Sequence, residues 1–282
     1  MGKPGWCCGT IISVTPPVVL TIAAHDPLGG AGIAADLTTF AAHGLHGMVA
    51  VTAVTAQRFG AVERAVATPA DLLADQLDGI IESASVAGLK VGLLFDPGQV
   101  EVVADRVADG RLPAPVVDPV MVDGRGERFV AAEIEAAARE LLFPLAATLT
   151  PNRAEATLLG AEPAALASLG AGLVIVTGGG ARATDLLVWP DGATVELPGE
   201  WVETANVRGT GCTFAAAMVS ALAVGGGLEE SARHAKAFVA AQLHDSAAWT
   251  VGPPGSVGPV SHRLHREWMP PSAQGTLDHS AP

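Results

Sequence analysis

A glycine-rich turn that carries a cysteine is the stretch of this chain most suited to chemistry. Arg208-Gly209-Thr210-Gly211-Cys212-Thr213 precedes an apolar run over 214–224. This pattern predicts a helix that begins at the glycines, where free N–H groups and the positive helix end can hold an anion. Cys212 lies in the first helical turn, which favours thiolate over thiol. Such a cradle suits phosphoryl transfer, although a plain turn between a strand and a helix explains the same glycines.

Several other polar residues follow segments that predict buried strands. Ligands of open α/β sheets bind outside the carboxyl ends of the strands, so these residues are candidates for one shared site. Each of them also has a simpler explanation in local structure. The candidates are Asp26 with the turn at 29–32, Gln57, Asp118, Asn152 with Glu155, and Gly178-Gly179-Gly180.

The simpler explanations stay open at this point. Asp118-Pro119 is typical of a turn at a strand end, and Gln57 of a solvated loop. Asn152 and Glu155 have the spacing of a capping box, in which both side chains bond the first turn of a helix. Asp36, taken alone, would lie on the solvated polar face of a helix. The histidines are predicted at the surface or in loops; they include His43, His46, His234, His244 and His262.

Composition and charge exclude several classes of function. The 282 residues carry a net charge of −13, and the lysines are Lys3, Lys90 and Lys236. This excludes a nucleic-acid-binding protein, which needs a basic face toward the phosphates. The sequence has no apolar run near the roughly 20 residues of a membrane span, and residues 1–17 lack the apolar segment of a signal peptide. Three cysteines without disulfide or metal spacing favour the reducing cytoplasm.

Strands alternate with helices through most of the sequence. Apolar, β-branched runs such as 18–23 and 89–94 predict buried strands, and 68–85 has apolar residues at helical spacing. The alternation predicts an α/β fold with a mainly parallel central sheet and helices on both faces. A hairpin around Asp191-Gly192 adds a small antiparallel part. The expected organisation is an irregular extension over 1–17, a single domain over 18–262 and a flexible tail over 263–282.

Seven motifs occur along the chain in one order. They are TIAAHDPLGGAGIAADL (21–37), VTAVTAQ (51–57), KVGLL (90–94), VVDPVMV (116–122), LTPNRAE (149–155), GTGCT (209–213) and GPV (258–260). In this order they resemble the hydroxymethylpyrimidine and phosphomethylpyrimidine kinases of thiamine biosynthesis, which belong to the ribokinase-like superfamily. The resemblance covers residues 18–262 and implies a three-layer ribokinase-like fold.

The resemblance implies a pocket for a pyrimidine substrate. Ala24, Leu93 and Val120 would line this pocket. Gln57 would bind the ring nitrogen and the exocyclic amino group, because an amide can donate and accept at one edge. Asp36 matches an acidic position of the family close to the same pocket.

The resemblance also implies a site for ATP and Mg²⁺. Asn152 and Glu155 match the Asn-x-x-Glu of the family, which organises Mg²⁺ and its waters around the phosphates. Asp118 and Glu155 are the predicted metal ligands. The N–H groups of Gly209, Thr210, Gly211 and Cys212 would form an anion hole, in which Cys212 accepts or orients the hydroxymethyl proton. The predicted nucleotide-binding residues are Asp118, Asn152, Glu155, Thr177, Gly179 and Arg208.

The chain departs from the family at five places, one of which is a shorter span over 160–172. Ala24 replaces a glycine, and Arg208 replaces a histidine before the anion hole. Lysines are missing from the turn after Thr177 and from the segment 123–126. Arg125 or Arg208 would then supply the missing charge, although arginine does not copy the compact charge of lysine.

The sequence therefore predicts an ATP- and Mg²⁺-dependent cytoplasmic kinase, a homodimer as its family implies. Its substrate would be 4-amino-5-hydroxymethyl-2-methylpyrimidine, the monophosphate of this compound, or both. A pyridoxal or pyridoxine kinase is one alternative. A second alternative is a non-catalytic pyrimidine-binding member of the family that has lost its phosphate lysines. Neither a nucleic acid nor a membrane is predicted as a partner.

Overall fold

The computed structural model describes residues 15–59, 61–122, 128, 130–178, 183–253 and 255–262. In these residues one sheet has the strand order β3-β2-β1-β4-β5-β6-β7-β8-β9. The six strands from β2 to β7 in this order pair in parallel, and β3, β8 and β9 are antiparallel to their neighbours. The strands are β1 (Val18–His25), β2 (His46–Arg58), β3 (Ala61–Ala67), β4 (Val86–Val91), β5 (Val116–Val117), β6 (Thr148–Leu149), β7 (Val174–Val176), β8 (Asp185–Val188) and β9 (Thr194–Leu197).

Helices cover both faces of the sheet, which gives three layers. Leu73, Val100 and Ile134 belong to the core on one face, and Phe40 and Phe214 to the core on the other. A mainly parallel sheet needs this cover because its central strands are apolar on both sides. The helices are α1 (Gly32–Ala42), α2 (Ala70–Ser83), α3 (Pro97–Ala108), α4 (Ala132–Ala137, followed by a π-helical turn Ala138–Leu142), α5 (Arg153–Leu159), α6 (Pro163–Ala167), α7 (Thr210–Ala223) and α8 (Leu228–Ser246).

The predicted fold class is confirmed, with differences in particular elements. The sequence did not predict β3, whose side chains are mostly exposed because it forms one edge of the sheet. The apolar stretch 115–122, which predicts a strand from its composition, forms one only over Val116–Val117. Asp118-Pro119 ends it, since proline has no N–H for the ladder. The hairpin around Asp191-Gly192 forms as predicted, from β8 and β9.

Two histidines expected at the surface form a pair between helices instead. His43 is buried at the end of α1, and its Nε2 lies 2.8 Å from Nε2 of His234 in α8. Both rings pack against Phe238. Burial lowers the pKa of His43 to about 4, which keeps this ring neutral near pH 7.

The segment after Gly252 has no regular element where it is described, but it is fixed to the domain. Arg208 N donates to Gly258 O at 3.0 Å, and Val260 N donates to Arg208 O at 3.2 Å. The predicted tail over 263–282 and most of the extension over 1–17 lie outside the described residues. No helix in the described part of the chain combines the length and the apolar composition that crossing a membrane requires.

Candidate active site

Two glycine-rich turns, far apart in sequence, meet at the carboxyl end of β1. Gly209 has a φ of 86°, and a Cβ at this position would overlap the carbonyl oxygen of Gly30. Gly32 has a φ of 56°, and its Cβ would overlap the carbonyl oxygen of Ala24. Both positions therefore need glycine, for the left-handed backbone and for the close approach. The contact brings the beginning of α7 next to the beginning of α1.

The N-terminus of α7 is the candidate anion site. Gly209 caps a 14-residue helix without a side-chain hydrogen bond, and no acidic residue lies in the first turn. The first N–H groups of a helix have no carbonyl partner within it and carry the positive end of its dipole. Thr210, Gly211 and Cys212 form this turn, as the sequence predicts; their role in binding an anion stays a prediction.

Cys212 faces a buried acidic group. Asp118 lies close enough for its charge to act on the thiol, and its oxygens are near the N-terminus of α7, 3.8 Å from the Cβ position of Gly211. Burial raises the pKa of the thiol to about 12; Asp118 and Asp36 add to this rise, and Lys90 opposes it. The expectation of a thiolate is therefore wrong, because burial outweighs the helix end and the nearby ammonium group.

Lys90 and Asp36 lie beneath this thiol as an ion pair. Nζ of Lys90 is 2.6 Å from Oδ1 of Asp36, and neither side chain is exposed to solvent. Thr21 Oγ1 donates to the other oxygen of Asp36 at 2.6 Å. Burial lowers the pKa of Lys90, but the charge of Asp36 and contributions from Cys212 and Asp118 raise it above its usual value.

Asp36 is therefore buried, whereas the helical pattern alone predicts a solvated side chain. Both of its carboxylate oxygens are bonded within the protein, so a direct contact with the substrate stays a prediction. Lys90 was missed as a site residue. The signal available for it was a lysine between Leu89 and Val91 in a strand that is otherwise apolar.

Asp118 and Glu155 provide two buried carboxyl groups near the same helix end. The oxygens of Asp118 lie 3.8 Å from the point where a Cβ on Gly211 would be. Burial raises the pKa of Asp118, and it raises that of Glu155 to about 7, with a further contribution from the charge of Asp118. Within the described residues no three His, Cys, Asp or Glu side chains could together hold a metal. A metal here would need oxygens from a ligand or water as well.

Asn152 and Glu155 form the capping box of α5. Asn152 Oδ1 accepts from Glu155 N at 3.0 Å, and Glu155 Oε2 accepts from Asn152 N at 2.9 Å. Glu155 Oε1 also accepts from Met121 N at 3.2 Å. The capping interpretation is confirmed. These hydrogen bonds leave one lone pair on each carboxylate oxygen of Glu155, so the role of Glu155 at Mg²⁺ stays a prediction.

Arg208 forms hydrogen bonds at the end of the site where the pyrimidine is predicted to bind. Its guanidinium donates to Asp26 Oδ2 through Nη2 at 2.9 Å and Nε at 3.1 Å, and to Gln57 Oε1 through Nη2 at 2.8 Å. The structure therefore brings Arg208 and Gln57 together. The predicted contact of Arg208 with the nucleotide stays a prediction.

The predicted substrate wall comes from three neighbouring strands. Ala24 is in β1, Leu93 follows β4 and Val120 follows β5, and β1, β4 and β5 are adjacent in the sheet. Ala24 is buried, and Leu93 and Val120 are half-buried. All three lie at carboxyl ends, where the resemblance places the ring.

The next strand ends, those of β6 and β7, carry the predicted nucleotide residues. Thr177 N donates to Pro151 O at 2.8 Å, which joins the two ends. Arg153, which the sequence analysis missed, is exposed and donates from Nε to Gly178 O at 3.1 Å. Gly179 and Arg125 lie outside the described residues. The signal for Arg153 was its place directly after Asn152 at the beginning of a helix.

The chain is similar to known kinases in sequence and in structure. A family model described as phosphomethylpyrimidine kinase matches residues 26–261. The chain is 37% identical over 267 residues to the hydroxymethylpyrimidine/phosphomethylpyrimidine kinase of Rhizobium meliloti (strain 1021), which covers 89% of this chain and 98% of that protein.

Two solved structures are similar. An ADP complex of Bacillus subtilis pyridoxal kinase has a TM-score of 0.80 at 32% identity, and the match covers 88% of this chain and 98% of the pyridoxal kinase chain. The phosphomethylpyrimidine kinase of Clostridium difficile 630 has a TM-score of 0.69 at 28% identity, and the match covers 80% of this chain and 98% of that protein. Because the family model matches most of the domain, this chain belongs to the phosphomethylpyrimidine kinase family.

Proposed function

We propose that this protein transfers the γ-phosphoryl group of ATP to the hydroxymethyl group of 4-amino-5-hydroxymethyl-2-methylpyrimidine, to the monophosphate of this compound, or to both, in thiamine biosynthesis. The observation that carries the proposal is the position of Cys212 in the first turn of α7 beside buried Asp118, whose oxygens lie 3.8 Å from the Cβ position of Gly211. It puts a proton acceptor beside an anion site. The relatives named for this activity support the substrate.

The proton path follows from the state of the thiol. As the hydroxymethyl oxygen bonds to the γ-phosphorus and the bond to the β-phosphate oxygen breaks, the hydroxyl proton moves to Sγ of Cys212. The proton of the thiol moves at the same time to the carboxylate of Asp118. A thiol with a pKa of about 12 is a poor base by itself, and this relay avoids a free thiolate. The N–H groups of Gly209–Cys212 stabilise the charge of the transferring group.

ATP is the phosphoryl donor, as in kinases of this family, and the ADP complex of a similar kinase supports a nucleotide site. We assign Mg²⁺ to Glu155 directly and to Asp118 through a water molecule, which leaves the Asp118 carboxylate able to accept the proton; phosphate and water oxygens would be the other ligands. Mg²⁺ would neutralise charge on the phosphates. Asn152 orients Glu155 through the capping box.

A pyridoxine-type substrate is the second candidate, since pyridoxal kinase is among the similar structures. The test is steady-state ADP release with Mg²⁺ and ATP, with the pyrimidine and with pyridoxine in parallel. Turnover on the pyrimidine supports the proposal, and turnover on pyridoxine alone supports the second candidate. Calorimetric binding of the pyrimidine without turnover would instead indicate a non-catalytic binding protein.

We further propose that the enzyme is a cytoplasmic homodimer that pairs through the hairpin of β2 and β3. Val54, Val62 and Val66 are 57%, 61% and 55% exposed there, and Val54 pairs with Val66 across the strands. Exposed β-branched residues at a sheet edge favour a contact with a second copy. Light scattering of the wild type and of Val66→Glu tests this; a monomeric wild type would contradict it.

A further inference from the structure

The segment after α8 returns to the glycine-rich turn that precedes α7. Residues 258–262 form what we call the C-terminal strap. The strap pairs in parallel with Arg208, whose N donates to Gly258 O at 3.0 Å and whose carbonyl oxygen accepts from Val260 N at 3.2 Å. Val260 and Ser261 are buried, so the strap is packed into the domain.

Asn206 holds the residues that lead into this turn. Its side chain is 4% exposed, and its Nδ2 donates to Ser246 O at 2.6 Å and to Trp249 O at 3.0 Å. A Cβ on Gly258 would overlap the side-chain oxygen of Asn206, which leaves no room for a side chain at 258. Residues 206–208 are therefore fixed between the end of α8 and the C-terminal strap.

The C-terminal strap also contacts the first turn of α7. His262 is half-buried, and its Nε2 lies 2.9 Å from Oγ1 of Thr213, which has no exposed surface. Thr213 follows Cys212 directly, and its N donates to Gly209 O at 2.8 Å. The contact between His262 and Thr213 therefore joins the strap to the helical turn that contains the candidate anion site.

The ring of His262 is neutral near pH 7. Burial lowers its pKa to about 4. A neutral imidazole has one N–H and one bare nitrogen, so Nε2 either accepts from the Thr213 hydroxyl or donates to it. In both cases one hydrogen bond connects the two side chains.

Pro259 adds a contact with the other glycine-rich turn. A Cβ on Gly30 would lie 3.2 Å from Cβ of Pro259 and 3.1 Å from Cδ of Arg208. The strap, the turn before α7 and the turn before α1 therefore meet at one place. Proline has a fixed φ, which makes this part of the strap rigid.

We infer that the C-terminal strap positions the anion site, and that His262, acting through Thr213, is a positioning residue for the first turn of α7. The inference rests on the proposed function, in which the anion is the transferring phosphoryl group. N–H groups stabilise this group only when they point to the place where its charge develops, and a displacement of about 1 Å can cost about 100-fold in rate. Loss of the His262 contact should therefore affect kcat more than binding of the ring.

Hydrogen exchange measures the order of this turn without any reaction. Deuterium uptake is followed in a peptide that covers residues 209–216, in wild type and in His262→Leu. The amides of 213–216 should exchange about five- to tenfold faster in His262→Leu, because the first turn of α7 loses one hydrogen bond that holds it. His262→Gln places an amide group near the position of Nε2 and should restore most of the protection. Unchanged exchange in His262→Leu would overturn the inference.

Steady-state kinetics provides the second readout. His262→Leu should lower kcat about tenfold or more, while the KM for the pyrimidine stays within a few-fold of wild type. His262→Gln should recover most of this loss. A wild-type kcat in His262→Leu would contradict the inference even if its exchange were faster. His244→Leu, at an exposed histidine of α8, is the matched control and should change neither readout.

Thr213→Val tests the same hydrogen bond from α7, and so serves also if His262→Leu does not fold. It keeps the shape of the side chain and removes the hydroxyl. Its exchange and kcat should change as in His262→Leu, and the double variant Thr213→Val/His262→Leu should lose no more than either single variant. Additive losses in the double variant would show that the two residues act separately, which would overturn the inference.

The two readouts distinguish this inference from the proposed function. Turnover on the pyrimidine by wild type, with unchanged exchange in His262→Leu, would overturn the inference alone. Faster exchange in His262→Leu, with a wild type that binds the pyrimidine without turnover, would support the positioning of this turn and overturn the kinase reaction alone. Unchanged exchange together with no turnover would overturn both.

Discussion

Lys90 and Asp36 form an ion pair from which water is excluded. The two side chains are 54 positions apart in sequence, their Nζ and Oδ1 atoms are 2.6 Å apart, and neither is exposed. The pair joins β4 to α1 beneath Cys212. Because Asp118 adds a second buried carboxyl group nearby, the Lys90 ammonium offsets negative charge directly under the anion site.

Loss of Lys90 should destabilise the protein strongly. Lys90→Met leaves Asp36 buried without its cation, which typically costs about 3–5 kcal/mol. The double variant Asp36→Asn/Lys90→Met should recover part of this loss, since it removes the unpaired charge. Urea unfolding measures all three proteins.

The exposed ion pair of Arg233 and Glu229 in α8 provides the control. These side chains are 53% and 42% exposed, and Arg233→Met should change the free energy of unfolding by less than about 1 kcal/mol. Equal effects of Lys90→Met and Arg233→Met would show that the buried pair contributes little.

Local sequence features predicted much of the fold, and the tertiary contacts explain the rest. Some features act within a few residues, and the sequence predicts them directly. They are the apolar run of β1, the proline at the beginning of α3 and the glycines of both turns. The pairing of Lys90 with Asp36 depends on how β4 and α1 pack. The edge strand β3 has an exposed pattern that resembles a loop.

In the candidate site too, local patterns could be predicted and tertiary contacts could not. The expectation that ligands bind at the carboxyl ends of the strands correctly placed Asp118, Gln57 and Cys212 at one edge of the sheet, because it needs only the positions of the strands. It could not give the protonation state of Cys212, because the pKa of the thiol also depends on Lys90, Asp118 and Asp36, which are far from it in sequence. It also could not show that Arg208 bonds Asp26 and Gln57, which lie 182 and 151 positions away.

Cys212→Ala should reduce kcat about 100-fold or more, because it removes the thiol through which the proposed mechanism passes the hydroxyl proton to Asp118. The dissociation constant of the pyrimidine should stay within a few-fold of wild type, since the ring contacts other residues. Cys212→Ser keeps a group that can relay a proton and should retain more activity. Steady-state kinetics and calorimetry measure both quantities. Wild-type turnover in Cys212→Ala would remove this residue from the mechanism.

Glu155 should make the metal-free protein less stable as the pH rises. Burial, followed by the charge of Asp118, raises its pKa from 4.5 to about 7 in the folded state. The folded protein therefore binds the proton more tightly than the unfolded chain. The resulting stability is complete below pH 4.5 and is lost as the pH rises through 7.

Glu155→Gln keeps much of the capping geometry without a titrating proton. Between pH 4.5 and 8 the wild type should lose about 3 kcal/mol more than this variant in urea unfolding with a chelator present. Parallel stability curves for the two proteins would contradict the raised pKa.

Arg153 should contribute to ATP binding. Lys90 is paired with Asp36 and Arg208 with Asp26, whereas Arg153 has no acidic partner among the described residues and contacts Gly178 beyond β7. In a chain with a net charge of −13, a polyphosphate needs such a cation. Arg153→Met should raise the KM for ATP about tenfold, and Arg153→Lys less, with kcat changed only a few-fold. Steady-state kinetics at varied ATP measures this.

Arg233 in α8 is the matched control, because it is exposed and its partner Glu229 is one helical turn away. Arg233→Met should leave the KM for ATP unchanged.

The comparison of Arg153→Met with Arg208→Met then decides which arginine replaces the missing lysine charge. If Arg208→Met raised the KM for ATP while Arg153→Met did not, the nucleotide role would return to Arg208. Its guanidinium would then have to leave Asp26 when ATP binds. If Arg208→Met instead weakened only the ring substrate, the two arginines would serve opposite ends of one site.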